Sequence, residues 1–95
     1  MAGSIIRKRL VFSGIVQGVG FRWRARHAAE AVGASGWVHN DWSGTVTMEL
    51  QGSEAQIESV LAALERGAYI RIDRIDARRV PVEENVRGFR YADEY

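Results

Sequence analysis

The stretch Gly14-Ile15-Val16-Gln17-Gly18-Val19-Gly20-Phe21-Arg22 decides the fold, because it joins a predicted strand to a predicted helix. Its closely spaced glycines let successive backbone N–H groups converge on one small acceptor. The helix adds its unpaired N–H groups and the positive end of its dipole. Arg22 lies in the first helical turn, where a planar guanidinium can bind two oxygens at once. The stretch predicts a site for a small tetrahedral anion, although such glycines can also form a simple connection.

The composition is that of one globular domain over residues 1–95. The chain is 46% apolar and 26% charged, and its net charge of +1 is too small to suggest nucleic-acid binding by bulk electrostatics. No run approaches the roughly 20 apolar residues of a membrane span, and the charge pattern of the first residues is the reverse of a signal peptide's. Because cysteine is absent, disulfides and thiolate metal sites are excluded. We expect a cytoplasmic monomer without membrane or nucleic-acid partners.

Apolar spacing predicts two helices. The first begins near Phe21, continues for about three turns and ends at Gly33, which is placed to form a left-handed cap. The second begins after Ser53, a predicted N-cap that forms a capping box with Gln56, and ends at Gly67. Its predicted buried stripe contains Ile57, Val60, Leu61 and Leu64.

Alternating residues predict the strands on either side of the first helix. Residues 7–13 form the first strand, and we expect its charged start, Arg7-Lys8-Arg9, to be solvated. Residues 35–40 and 45–51 form a hairpin through the turn Asp41-Trp42-Ser43-Gly44. Since the second strand of this hairpin alternates apolar and polar residues, we expect one face of the sheet to meet water.

The remaining residues complete the fold. Residues 70–82 are extended, with a phase shift that indicates a bulge or a late strand start, and Pro81 marks the strand's end or an edge position. Residues 89–91 form a short last strand. The order βαββαβ predicts an α+β, ferredoxin-like split βαβ sandwich, in which an antiparallel sheet carries two helices on one face.

Asn40 is the second candidate for chemistry, because it closes a strand at the hairpin beside the glycine loop. An amide is no strong base, but it can hold a water in line with a bound phosphorus, as loose phosphoryl transfer requires. By strand alternation His39 faces the other side, and we interpret Asp41 as a turn former. Trp23 is expected to point away from Arg22 and to be partly buried. Without a placed acid, nucleophile or metal cluster, the best substrate is a mixed anhydride, whose carboxylate leaves readily.

The glycine stretch, together with Gly36-Trp37-Val38-His39-Asn40, resembles the two signatures of the acylphosphatase family, at the family's usual separation. The sequence departs from that pattern at Ile15, often an arginine, and in the 41–44 turn. The resemblance implies hydrolysis of a small-molecule acyl phosphate without cofactor or metal. It implies that Arg22 binds the phosphate and that Asn40 orients the attacking water. It also implies phosphate-binding amides at Ile15, Val16, Gln17, Gly18, Val19, Gly20 and Phe21.

Two other functions are compatible with the predicted fold. One is a non-catalytic module that binds acyl or carbamoyl phosphate, as in larger carbamoyl-transfer proteins with an acylphosphatase-like part. The other is RNA binding, which we disfavour because the glycine and aromatic residues of 18–23 open a helix instead of lying on a central strand. The chain ends at Tyr95, so a free-standing hydrolase is the simpler expectation. The sequence specifies neither the acyl group nor whether the tail 92–95 pairs with Arg22.

Overall fold

The structure is a computed structural model that describes residues 4–92 of the chain. The predicted ferredoxin-like fold is confirmed, with both helices at their predicted positions. The capping box of Ser53 and Gln56 is present, and Gly33 caps the first helix in the left-handed conformation. Within the described residues, no helix is long and apolar enough to cross a membrane. The elements are β1 (Ile6–Ile15), α1 (Phe21–Val32), β2 (Ser35–Asn40), β3 (Val46–Gly52), α2 (Glu54–Glu65), β4 (Arg71–Val80) and β5 (Phe89–Tyr91).

The strands form one sheet in the order β4-β1-β3-β2-β5. β1 lies antiparallel to β3 and β4, and β2 lies antiparallel to β3. The short β5 adds to the edge at β2 in the parallel direction, with Tyr91 opposite Val38. The sheet is therefore mixed at this edge, where the sequence predicted only antiparallel strands. β1 and β3 occupy the middle, so the loop after β1 and the hairpin before β3 meet at one end of the sheet.

The phase shift in β4 is a bulge, one of the two explanations that the sequence left open. Ser13 of β1 is opposite Arg74, whereas the next residue, Gly14, is opposite Ile72. Asp73 is therefore the extra residue on β4. Pro81 follows the last residue of the strand, where its missing N–H interrupts no ladder hydrogen bond.

One face of the sheet and the two helices enclose the hydrophobic core. Phe12 of β1 packs edge-on against Phe21 of α1, with ring centroids 4.9 Å apart. Since Phe21 is the first residue of α1, this contact fixes the start of the helix beneath the glycine loop. Alanines on the buried stripe of α1 allow a close approach to the sheet. The other fully buried apolar side chains include Leu10, Val38, Val46, Met48, Leu50, Ile57, Val60 and Leu64.

The second face of the sheet does not meet water at its centre, which corrects two predictions. Arg7 is only 1% exposed, and its Nε donates to Glu49 Oε1 at 2.7 Å. Its Nη1 donates to Gln51 Oε1 at 3.1 Å. Gln51 in turn exchanges two hydrogen bonds with the backbone of Glu83, so the segment after β4 covers this face. The sequence predicted that Arg7 lies in solvent and that this face of the sheet meets water. Instead, Arg7 of β1 pairs with Glu49 of β3, and both side chains are buried.

The buried pair of Arg7 and Glu49 gives a test by stability. Arg7→Ala leaves the Glu49 carboxylate buried without its strongest partner, so it should lower the free energy of unfolding by roughly 3 kcal/mol. Arg9 donates to the other oxygen of Glu49 at 2.9 Å but has a side chain 40% exposed. The control Arg9→Ala should therefore cost about 1 kcal/mol or less. Urea unfolding measures both, and equal losses would contradict a buried charge at Arg7.

Candidate active site

The loop from Val16 to Gly20 connects β1 to α1 and turns through two left-handed glycines. Gly18 has φ 73° and Gly20 has φ 79°, and a Cβ added at either would meet no atom within 4 Å. Glycine is thus required at both positions by the backbone conformation and not by crowding. Gly20 is the N-cap of α1, and no side chain caps the helix there. The first N–H groups of α1 therefore lack a side-chain acceptor and face the loop.

Arg22, the second residue of α1, is exposed beside this loop. Its guanidinium carbon lies 5.5 Å from the ring centroid of Tyr91 on β5. Arg26, one turn further along α1, lies over the same ring at 5.6 Å. A cation over an aromatic face is attracted by the ring, so Tyr91 limits where the Arg22 side chain can lie.

Asn40 ends β2 opposite Val46 at the start of the hairpin. Its Oδ1 is buried. Among the described residues, it is the one buried side-chain nitrogen or oxygen atom without a hydrogen-bond partner. An unpaired buried acceptor costs about 1–3 kcal/mol, so few persist in native proteins without a role. The structure therefore presents a free acceptor where the sequence predicted a residue that orients water.

Gln17 joins the glycine loop to the hairpin. Its Nε2 donates to the carbonyl oxygens of Asp41 at 2.7 Å and Thr45 at 2.8 Å. Both amide hydrogens are therefore used within the protein, and the side chain holds the loop beside Asn40. This side-chain role was not predicted from the sequence, where Gln17 was assigned a phosphate-binding amide.

Asp41, the residue after Asn40, forms the centre of a second hydrogen-bond network. Its Oδ2 accepts from the hydroxyls of Thr45 and Thr47, both at 2.7 Å, and its Oδ1 lies 2.9 Å from His39 Nδ1. Partial burial acts to raise the pKa of Asp41, but the hydrogen bonds from Thr45, Thr47 and His39 outweigh it, and the pKa lies below its usual range. Asp41 is a turn residue, as predicted, and the network also rigidifies the backbone next to Asn40.

These elements surround a pocket of about 190 Å³ at this end of the sheet. It brings together residues that are far apart in the chain, from the glycine loop, the start of α1, the end of β2 and the last strand. The described residues contain no group of three His, Cys, Asp or Glu side chains placed to hold a metal ion. The lining residues are Val16, Gly18, Gly20, Phe21, Arg22, Trp23, Asn40 and Tyr91.

The predicted site residues divide into two groups in the structure. Arg22 and Asn40 line the same pocket, together with four of the predicted loop residues, Val16, Gly18, Gly20 and Phe21. The other three, Ile15, Gln17 and Val19, do not line it. Ile15 ends β1 paired with Arg71, and Val19 packs against the core.

Two lining residues were not recognised from the sequence. Trp23 was expected to point away from Arg22, but it lines the pocket and remains 57% exposed. Tyr91 reaches the pocket only because β5 adds beside β2, a long-range pairing that local patterns do not reveal. Ala92 donates its N–H to Val38 O at 2.8 Å, while the rest of the predicted tail lies outside the described residues.

Comparison with known proteins shows the family to which the chain belongs. The acylphosphatase family model matches residues 8–91. An acylphosphatase of Leuconostoc mesenteroides is 40% identical over 73 residues, which cover 75% of this chain and 81% of the relative. The chain belongs to the acylphosphatase family. As a member it is an enzyme of the acylphosphatase class, and its fold is that of solved acylphosphatases.

A solved acylphosphatase from Bacillus subtilis superposes with a TM-score of 0.84 at 26% identity, covering 95% of this chain and 100% of that chain. The acylphosphatase fold also occurs as part of longer proteins. The carbamoyltransferase HypF2 of Cupriavidus necator is 38% identical over 86 residues, which cover 88% of this chain but only 10% of the relative.

The carboxylate network beside Asn40 predicts a pH-dependent contribution to the stability of this acylphosphatase. Because the pKa of Asp41 is lower in the folded protein, its charge stabilises the fold above the unfolded-state pKa of about 3.9. That contribution is lost as the pH falls through the lower folded-state pKa. Asp41→Asn should therefore be less stable than the wild type at pH 6, and the deficit should shrink on acidification to pH values well below about 4.

Urea unfolding across this pH range measures the deficit. The control is Asp73→Asn, which removes an exposed carboxylate paired with Arg71 and should cost about 1 kcal/mol or less throughout. A deficit of Asp41→Asn that stays constant or grows on acidification would contradict the network.

Proposed function

We propose that the pocket hydrolyses the carboxyl–phosphate bond of small acyl phosphates by direct attack of water on phosphorus. The observation that carries the proposal is the free, buried acceptor of Asn40 in the same pocket as Arg22 and the glycine loop. Together they offer an anion site and a hydrogen-bond acceptor for a water beside it.

The phosphoryl group is held by positive charge and N–H donors. Arg22 supplies a forked guanidinium, and the backbone amides of the loop and of the start of α1 supply the remaining donors. These groups match the charge that spreads over the three equatorial phosphoryl oxygens in the transition state. Since the Gln17 side chain already holds the loop against the hairpin, little reorganisation is needed during the reaction.

Asn40 orients the nucleophile. Its Oδ1 accepts a hydrogen bond from the attacking water, which leaves the water's lone pair directed toward phosphorus. The new P–O bond forms as the bond to the acyl oxygen breaks, and the products are a carboxylate and inorganic phosphate. The proton released by the water is carried by phosphate or solvent. A carboxylate is a good leaving group, so the reaction requires neither an acid nor a metal to assist departure.

The position of the aromatic and glycine residues favours a small molecule over RNA. In RNA-recognition modules of similar fold, aromatic residues project from central strands and stack on bases. Here Gly18 and Gly20 form a loop, and Trp23 lies on α1. The residues of the central strands that face away from the helices include Arg7, Arg9, Thr47, Glu49 and Gln51.

Hydrolysis of benzoyl phosphate in the presence of a metal chelator tests the proposal. Arg22→Ala and Asn40→Ala should each lower kcat/KM by about 100-fold or more, because each removes a group that acts in the transition state. Arg66→Ala, an exposed arginine that follows α2 and does not line the pocket, is the matched control and should retain wild-type activity. Circular dichroism confirms that each variant is folded.

Two outcomes would contradict this proposal. Full activity of folded Arg22→Ala or Asn40→Ala would remove the assigned roles. No turnover by folded wild type would favour the alternative, a module that only binds acyl or carbamoyl phosphate. The similarity to a segment of the carbamoyltransferase HypF2 supports that alternative as the second candidate.

A further inference from the structure

We infer that Trp23 forms the acyl-side wall of the pocket and gives this acylphosphatase a preference for aromatic over small acyl groups. The inference rests on the proposed function and assigns the part of the pocket that the phosphoryl group does not use. Trp23 follows Arg22 directly on α1, and both line the pocket. Because both side chains line this one pocket, a substrate whose phosphate binds Arg22 can place its acyl group against the indole ring.

The chemistry of the lining separates into two parts. Gly18, Gly20, Arg22 and Asn40 offer polar groups suited to phosphate and water. The aromatic rings of Trp23 and Tyr91 offer flat apolar surface. Two guanidinium groups already lie over the Tyr91 ring, and Tyr91 is 39% exposed against 57% for Trp23, so the indole offers a substrate the more accessible aromatic surface.

The Trp23 ring is held in place although it is exposed. It stacks on His27, with ring centroids 3.7 Å apart and planes inclined by 25°. His27 is fixed in turn, because its Nδ1 donates to the carbonyl oxygen of Trp23 at 2.9 Å. A ring held from behind loses little conformational freedom when a substrate stacks on its other side. Trp23 is 57% exposed and lines the pocket, so much of its surface remains open to a substrate.

An apolar platform discriminates by the size and aromaticity of the acyl group. Acetyl phosphate presents one methyl group and gains little from the indole, whereas benzoyl phosphate presents a ring that can stack on it. Discrimination by such apolar contacts is modest, typically about 10-fold or somewhat more. Carbamoyl phosphate likewise presents a small group without a ring to stack on the indole, so it should behave like acetyl phosphate.

The test compares kcat/KM for benzoyl and acetyl phosphate in the wild type and in three variants. Trp23→Ala should lose about 10-fold toward benzoyl phosphate and less than about twofold toward acetyl phosphate. Trp23→Phe should retain most of the benzoyl preference. Tyr69→Ala removes an aromatic side chain that is 81% exposed and does not line the pocket, so it should change neither value. Ratios between variants cancel the different intrinsic reactivities of the two substrates.

Binding separates failure of this inference from failure of the proposed function. Benzoylphosphonate and acetylphosphonate keep the acyl and phosphoryl groups but lack the hydrolysable bond, and calorimetry gives their affinities without turnover. Tighter binding of benzoylphosphonate that weakens in Trp23→Ala supports the acyl-side wall, even if wild type does not hydrolyse acyl phosphates. Two results would contradict the role of Trp23 and leave the hydrolase proposal intact. One is that Trp23→Ala lowers kcat/KM or affinity equally for the benzoyl and acetyl compounds, and the other is that it lowers neither.

Discussion

Two hydrogen bonds from one side-chain amide determine the arrangement of the site. Gln17 Nε2 donates to the carbonyl oxygens of Asp41 and Thr45, which ties the loop after β1 to the hairpin before β3. The pairing of β1 with β3 brings both connections to the same end of the sheet, but it leaves their separation to the loops themselves. The Gln17 amide sets that separation and so places Asn40 beside the glycine loop.

The site concentrates features that are unfavourable for folding. The loop needs left-handed backbone at Gly18 and Gly20, and the Asn40 amide oxygen is buried without a partner. Neighbouring interactions compensate for these costs. The edge-on contact of Phe12 with Phe21 anchors the start of α1, and the Asp41 network fixes the hairpin. An unpaired acceptor, Asn40 Oδ1, that is surrounded by well-anchored elements is the arrangement expected of a preorganised site.

Local features could be predicted from the sequence, while features that depend on distant pairing could not. The capping box, the Gly33 cap and the glycine loop each depend on residues within one turn or one connection. The parallel addition of β5, which brings Tyr91 to the pocket, depends on residues more than 50 positions apart along the chain. The burial of Arg7 is similar, because the segment that covers it is recognisable only when Glu83 meets Gln51 in the folded protein. The prediction that Trp23 points away from Arg22 was wrong, because both residues line one pocket. Helical periodicity identifies the buried stripe of α1, but it does not show which exposed residues border a pocket.

We propose that the glycine loop and the hairpin form one anion site around Asn40. Titration of ¹⁵N-labelled protein with inorganic phosphate tests this most directly, by following the backbone amides of Gly18 and Gly20 and the side-chain amide of Asn40. With one anion site, these resonances should shift together with a single Kd, and the shifts should be lost in Arg22→Ala. Shifts confined to the glycine loop or to the hairpin alone would contradict a single site. Shifts centred on Arg7 and Arg9, on the sheet face away from the helices, would place the anion elsewhere and also contradict it.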